Sequence, residues 1–171
     1  APSVIVTDLG GNPVDGVPVT FAVTAGAGSI VPVTATPVST NASGIATLTS
    51  WTLGTAPGAN TVTATAAVPS GSPVTFNATG VAGAPTALVF GTQPSGTTVG
   101  GTIAPPVTVR LQDAFGNLTT STATVSLAIG NNPGTATLGG TASKAAVAGI
   151  ATFDNLPDLR FEALIRLSTI L

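Results

Sequence analysis

Two short motifs recur in this chain at one spacing, and no other feature constrains its fold as strongly. Asp8-Leu9-Gly10-Gly11-Asn12 returns as Asp113-Ala114-Phe115-Gly116-Asn117, 105 positions later. Gly44-Ile45-Ala46-Thr47 returns as Gly149-Ile150-Ala151-Thr152 at the same offset. Two unrelated motifs at one offset indicate a duplicated structural unit rather than low complexity. The match slips by one residue in between, where Val19, Phe21 and Val23 correspond to Val125, Leu127 and Ile129. Small compensating insertions and deletions therefore separate the copies.

Within each copy the apolar pattern has a period of two. Val19, Phe21 and Val23 alternate with Thr20, Ala22 and Thr24. The runs Thr61–Ala66, Val107–Gln112 and Thr124–Ile129 alternate in the same way. Period two puts one face of a strand in a core and the other in water. Gly, Pro, Asn or Asp bounds each run, and 21 Gly and 14 Pro supply the breaks. Thr suits the outward face, because its branched Cβ fits a pleated strand and its hydroxyl hydrates. The expected fold is all-β, two tandem antiparallel sandwiches.

Ala82-Gly83-Ala84-Pro85 is a small-residue linker between the copies. The first copy is residues 1–82 and the second 83–157. Both are short against the roughly 100 residues of a seven-stranded sandwich. The segment Pro85–Pro106 precedes the Asp113 motif and has no counterpart before Asp8, so copy one is expected to lack a first strand. Copy two loses its likeness after Thr152 and is expected to lack its last strands. Residues 158–171 form an atypical tail, read as foreign to the fold. Asp158, Arg160, Glu162 and Arg166 give it four of the chain's ten charges, and the Gly/Thr texture stops. If ordered, the tail is expected to pack where the closing strands would lie. Incomplete sandwiches leave open strand edges, so self-association is also expected.

Composition excludes several functions. The chain has no Cys and no His. It cannot form a disulfide, a Ser-His-Asp triad or a zinc site with His or Cys ligands. Four Lys and Arg against six Asp and Glu give a net charge of −2. That is too little basic surface for nucleic acid. The apolar runs are far shorter than the roughly 18–20 residues of a membrane helix, so no membrane insertion is expected. The N-terminus has no basic stretch leading into an apolar run, so no signal peptide is expected within it.

The chain resembles the bacterial immunoglobulin-like domains of the invasin and intimin type, which occur in tandem in adhesins and large secreted proteins. In copy one the matching residues are Val6-Thr7-Asp8, Gly11-Asn12-Pro13-Val14 and Gly16-Val17-Pro18-Val19-Thr20-Phe21. They resume with Gly44-Ile45-Ala46, Trp51-Thr52-Leu53-Gly54, Gly58, Asn60, Val62 and Ala64. In copy two they are Val109, Gln112-Asp113-Ala114-Phe115-Gly116-Asn117 and Gly149-Ile150-Ala151-Thr152-Phe153. The resemblance implies immunoglobulin-like sandwiches. It also implies an extracellular or cell-surface spacer or adhesion module, with neighbouring domains of a longer chain as partners. It implies little or no dependence on Ca²⁺.

Candidate chemistry is sparse. Asp-x-x-Gly-Asn between alternating runs is a turn signature, since Gly and Asn accept positive φ and Asp bonds its own backbone. The sharper alternative is a cation site. Asp8, Asn12 and Asp15, with Asp113 and Asp154 as further carboxylates, carry the oxygen ligands that Ca²⁺ takes. Ca²⁺ needs about six to eight oxygens, and no EF-hand spacing is present. No cofactor is expected, Ca²⁺ being the one candidate. Ser143 and Lys144 are adjacent, so on a strand they face opposite sides and cannot act as a pair. Asp154 and Asp158 have the makings of a hydrolase carboxylate pair, though the plainer reading is solvated loop residues. The functional alternatives are then two. One is a metal-assisted hydrolase of a small ester, lactone or glycoside. The other is a carbohydrate-binding module centred on Trp51, which otherwise reads as a core residue. The sequons at Asn41, Asn77 and Asn117 read as chance in a Thr-rich chain.

Overall fold

The structure is a computed structural model. It describes residues 1–68, 70–96, 101–130 and 137–157, and the backbone of 165–170. The chain divides into two compact units, Ala1–Val81 and Ala82–Leu171.

Unit 1 contains β1 (Ser3–Ile5), β2 (Pro18–Ala25), β3 (Ser29–Val31), β4 (Pro37–Ser39), β5 (Ile45–Thr47), β6 (Ser50–Thr52), β7 (Gly58–Ala66) and β8 (Val74–Gly80). One sheet runs in the order β4-β2-β7-β8, a second pairs β1 with β5, and a small third pairs β3 with β6. All pairings are antiparallel. The alternation read from the sequence decides which faces meet. Val19 and Phe21 of β2 and Val62 and Ala64 of β7 are buried, while Thr20, Thr61 and Thr63 are not. Phe21 sits opposite Ala64 in the register, so a large side chain meets a small one. Ala46 and Leu48 close the core from the β5 side.

Unit 2 contains β9 (Ala87–Thr92), β10 (Val107–Gln112), β11 (Thr124–Ile129), β12 (Ser143–Ala145), β13 (Ile150–Phe153) and β14 (Ile165–Ile170). Its sheets run β13-β10-β9 and β12-β11-β14. Val107, Val109 and Leu111 of β10, Val125 and Leu127 of β11, and Ala151 and Phe153 of β13 form one core. Residues from both sheets share that core, which makes the unit a sandwich.

Matched through the repeat offset, β1 and β10 take the same place, as do β5 and β13, β2 and β11, β4 and β12, and β7 and β14. Strand β9 has no counterpart among the described residues of unit 1. Strand β8 has none among the described residues of unit 2. Together the two units fill a seven-place plan of a three-stranded sheet on a four-stranded one, which is immunoglobulin-like. The described residues contain no helix long and apolar enough to cross a membrane.

Within the atypical tail, Ile165–Ile170 pair with β11, and β14 stands beside β11 as β7 stands beside β2, in the place of a closing strand. The sequence carried a signal for this, since Ile165 and Leu167 alternate with Arg166 and Ser168. The loss of Gly and Thr obscured it. Asp158, Arg160 and Glu162 lie outside the described residues.

Candidate functional site

The residues with the most chemistry sit in the repeated turn. In unit 1 it follows β1, and in unit 2 it follows β10. Asp8 Oδ1 accepts the backbone N–H groups of Gly10 and Asn12, each at 2.8 Å. The Asn12 side-chain amide donates to both Asp8 oxygens, at 3.2 and 3.0 Å. Asp113 repeats the pattern. Its Oδ1 accepts from Phe115 N and Asn117 N, each at 2.9 Å. The Asn117 amide donates to both of its oxygens, at 3.2 and 3.0 Å. The backbones agree as well. Gly11 N donates to Asp8 O at 3.0 Å and Gly116 N to Asp113 O at 3.1 Å. Gly11 has φ +84° and Gly116 φ +82°, a conformation side chains with a Cβ resist.

The second motif meets the first. Gly44 O accepts from Val6 N and Gly149 O from Leu111 N, each at 2.8 Å. Both glycines have positive φ, +71° and +78°. A Cβ on Gly44 would lie 2.6 Å from Val6 O, and one on Gly149 would collide with the Thr119 carbonyl. The two motifs recur together because each unit needs both to tie its β1-type strand to its β5-type strand.

The copies differ in burial. Asp8 is exposed, whereas Asp113 is only 5% exposed and also accepts Gly83 N at 3.0 Å. The Asn12 amide, followed by the Asn12 backbone N–H, holds the Asp8 carboxyl below its ordinary range. The Asn117 amide, with the N–H of Gly83 next, takes Asp113 down to about 2. Hydrogen bonds to the charged form cause both shifts.

The other candidates lie apart. Asp15 is exposed in the loop before β2. Asp154 accepts from Lys144 Nζ at 3.0 Å, and both side chains are solvent-accessible, at 62% and 31%. That hydrogen bond lowers the Asp154 carboxyl's pKa. Ser143 turns the other way, its Oγ 3.0 Å from Ser126 Oγ. Asp8 and Asp15 belong to unit 1 and Asp113 and Asp154 to unit 2. Among the described residues no three His, Cys, Asp or Glu side chains gather as a metal site would require. Trp51 is half-buried against the unit 1 core, and its indole Nε1 is buried with no hydrogen-bond partner among the described residues.

Two polar residues have anchoring roles that the sequence did not assign. Thr40 is 3% exposed. Its Oγ1 accepts from Val17 N at 2.9 Å and donates to Val14 O at 2.7 Å. Asn60 is 1% exposed. Its Oδ1 accepts from Gly54 N at 2.9 Å and its Nδ2 donates to Gly58 O at 3.2 Å. Thr40 is hidden among some 30 Thr. Asn60 left a signal, since it occupies an inward position of β7 where the pattern calls for an apolar residue.

No protein family and no curated protein sequence matches the chain. Among solved structures it is similar to the D0-D1 domain of intimin, at 21% identity and a TM-score of 0.38, over 92% of this chain and 73% of that one. It is also similar to a β-glucuronidase of Bacteroides uniformis, solved without ligand, at 14% identity and a TM-score of 0.33, over 90% of this chain and 21% of that one.

Proposed function

We propose that this chain is a non-catalytic structural module of the adhesin type, from a bacterial surface or secreted protein. Its role is to space a neighbouring domain of a longer chain. The duplicated aspartate turn is the observation that carries this reading. Asp8 and Asp113, the carboxylates most suited to chemistry, spend their oxygens on the N–H groups of their own turns. A carboxylate held this way stays ionised and pinned, which suits a fastener and not a general acid or base. Purified protein screened against esters, lactones and glycosides, with and without EDTA, tests it. No turnover above a denatured control is expected. Turnover that EDTA abolishes and Ca²⁺ restores would establish the metal-assisted hydrolase instead.

A carbohydrate-binding reading has one supporting observation. Trp51, Phe76 and Asn77 line a cleft of about 680 Å³. Aromatic faces beside an amide are what a sugar ring stacks on and bonds to. Trp51 fluorescence left unchanged by a glycan panel would remove this reading.

A further inference from the structure

Asn-x-Ser/Thr is the acceptor pattern for a sugar joined to an asparagine amide, and composition gives no means of choosing among its three occurrences. The structure separates them. Asn117 is closed. Its Nδ2 donates to both oxygens of Asp113, and Thr119, which completes the pattern, is 3% exposed. Asn77 lies inside β8, which is paired with β7 along its whole length, and its Oδ1 accepts the Thr61 hydroxyl at 3.2 Å. To enter an enzyme's active site, that strand would have to leave its sheet.

Asn41 is different. Asn41, Ala42 and Ser43 are all exposed, in the loop between β4 and β5. The backbone there is held: Asn41 N donates to Ile45 O at 3.0 Å, and Gly44 N donates to Asn41 O at 2.7 Å. The side chain is held too. Its Oδ1 accepts Ser43 N at 2.9 Å and Ile45 N at 3.1 Å. An amide nitrogen cannot accept those bonds, so the side chain cannot turn over. Nδ2 is thereby fixed on the side facing away from the turn's N–H groups. It has no hydrogen-bond partner among the described residues, and neither has the Ser43 hydroxyl that completes the pattern.

We propose that Asn41 is a glycan-acceptor site, served by a transferase whose donor is a sugar carried on a diphosphate. Transfer forms a bond between Asn41 Nδ2 and the anomeric carbon of the sugar. The bond from that carbon to the diphosphate oxygen breaks, and the diphosphate departs with the electron pair. One Nδ2 proton passes to a base of the transferase. An amide nitrogen is a poor nucleophile, because its lone pair is shared with the carbonyl. Charge therefore builds on Oδ1 as the proton leaves. The Ser43 and Ile45 N–H groups already point at that oxygen and stabilise the charge there. The turn presents the nitrogen and prepares the oxygen, in a surface loop that an enzyme reaches without unfolding the sandwich.

The test offers the folded full chain to two enzyme systems and maps the products by mass spectrometry. One is a soluble N-glycosyltransferase with uridine diphosphate glucose. The other is a membrane oligosaccharyltransferase with a lipid diphosphate-linked oligosaccharide, and whichever acts identifies the donor. Addition at Asn41 alone is expected. Short peptides spanning the three sequons should each accept sugar, because the fold makes the choice and not the pattern. Asn41→Asp keeps an oxygen for both N–H bonds but has no nitrogen, so it should melt like the wild type and accept no sugar. Ser43→Ala should slow transfer by about tenfold or more. No addition to the folded chain by either system would overturn the proposal. So would addition at Asn77 or Asn117 in preference to Asn41.

Discussion

Phe21→Ala probes the first sandwich most sharply. The ring is 1% exposed and belongs to the same buried cluster as Val19, Ile30, Ala46, Leu48, Val62 and Ala64. Truncation removes the transfer energy of the ring and leaves a cavity that its strand neighbours cannot refill, costing about 3–5 kcal/mol. A unit of the length of Ala1–Val81 has a total stability of roughly 4–12 kcal/mol. The substitution therefore removes a large share of it. Trp51 is the only Trp and lies in unit 1, against this cluster, so its emission follows that unit alone. With a urea dependence of about 1.2 kcal/mol per molar, the midpoint seen by Trp51 should fall by roughly 2.5–4 M. Phe153→Ala, the matching deletion in the unit 2 core, should leave the Trp51 transition near its wild-type midpoint. A Phe21→Ala loss below about 1 kcal/mol would mean that the ring is not packed between two sheets, and the sandwich argument would fail.

Three further outcomes are expected. Asp113 has a folded pKa lowered to about 2 from an ordinary 3.8, so its contribution to stability is present above pH 4 and is lost as pH falls through 2. Asn117→Ala should move that titration upward, as read from the carboxyl carbon by NMR. Gly149→Ala forces a Cβ onto the Thr119 carbonyl at φ +78° and should destabilise unit 2 by more than about 1 kcal/mol in denaturant titration. Millimolar Ca²⁺ or EDTA should leave the melting curve unchanged, because the turn's own N–H groups occupy the Asp8 and Asp113 oxygens; a midpoint raised by Ca²⁺ alone would show a cation site.

The strands were legible where alternation was long. The period-two runs of β2, β7, β10 and β11 placed both cores, and the repeated motifs placed both turns. Short strands such as β4, β5 and β12 have three residues each, too few to show a period. The loss of Gly and Thr made the tail read as foreign, with a place in the closing-strand position only if ordered; Ile165–Ile170 takes that place through pairing with β11, which composition alone does not reveal. For the candidate site, sequence named Asp8 and Asp113 but left open whether their oxygens face a cation or their own backbone. That choice depends on where Asn12 and Asn117 direct their amides, which spacing alone does not fix. The Lys144–Asp154 pair joins β12 to the residue that follows β13, ten positions on, and only the fold brings them together.

The central claim is that two sandwich units of one plan form a mechanical spacer. Single-molecule pulling from the two chain ends tests it directly. Two separate unfolding events are expected, each releasing about 25–30 nm of chain, the extended length of one unit. One event of twice that length, or smooth extension with no force peak, would contradict it.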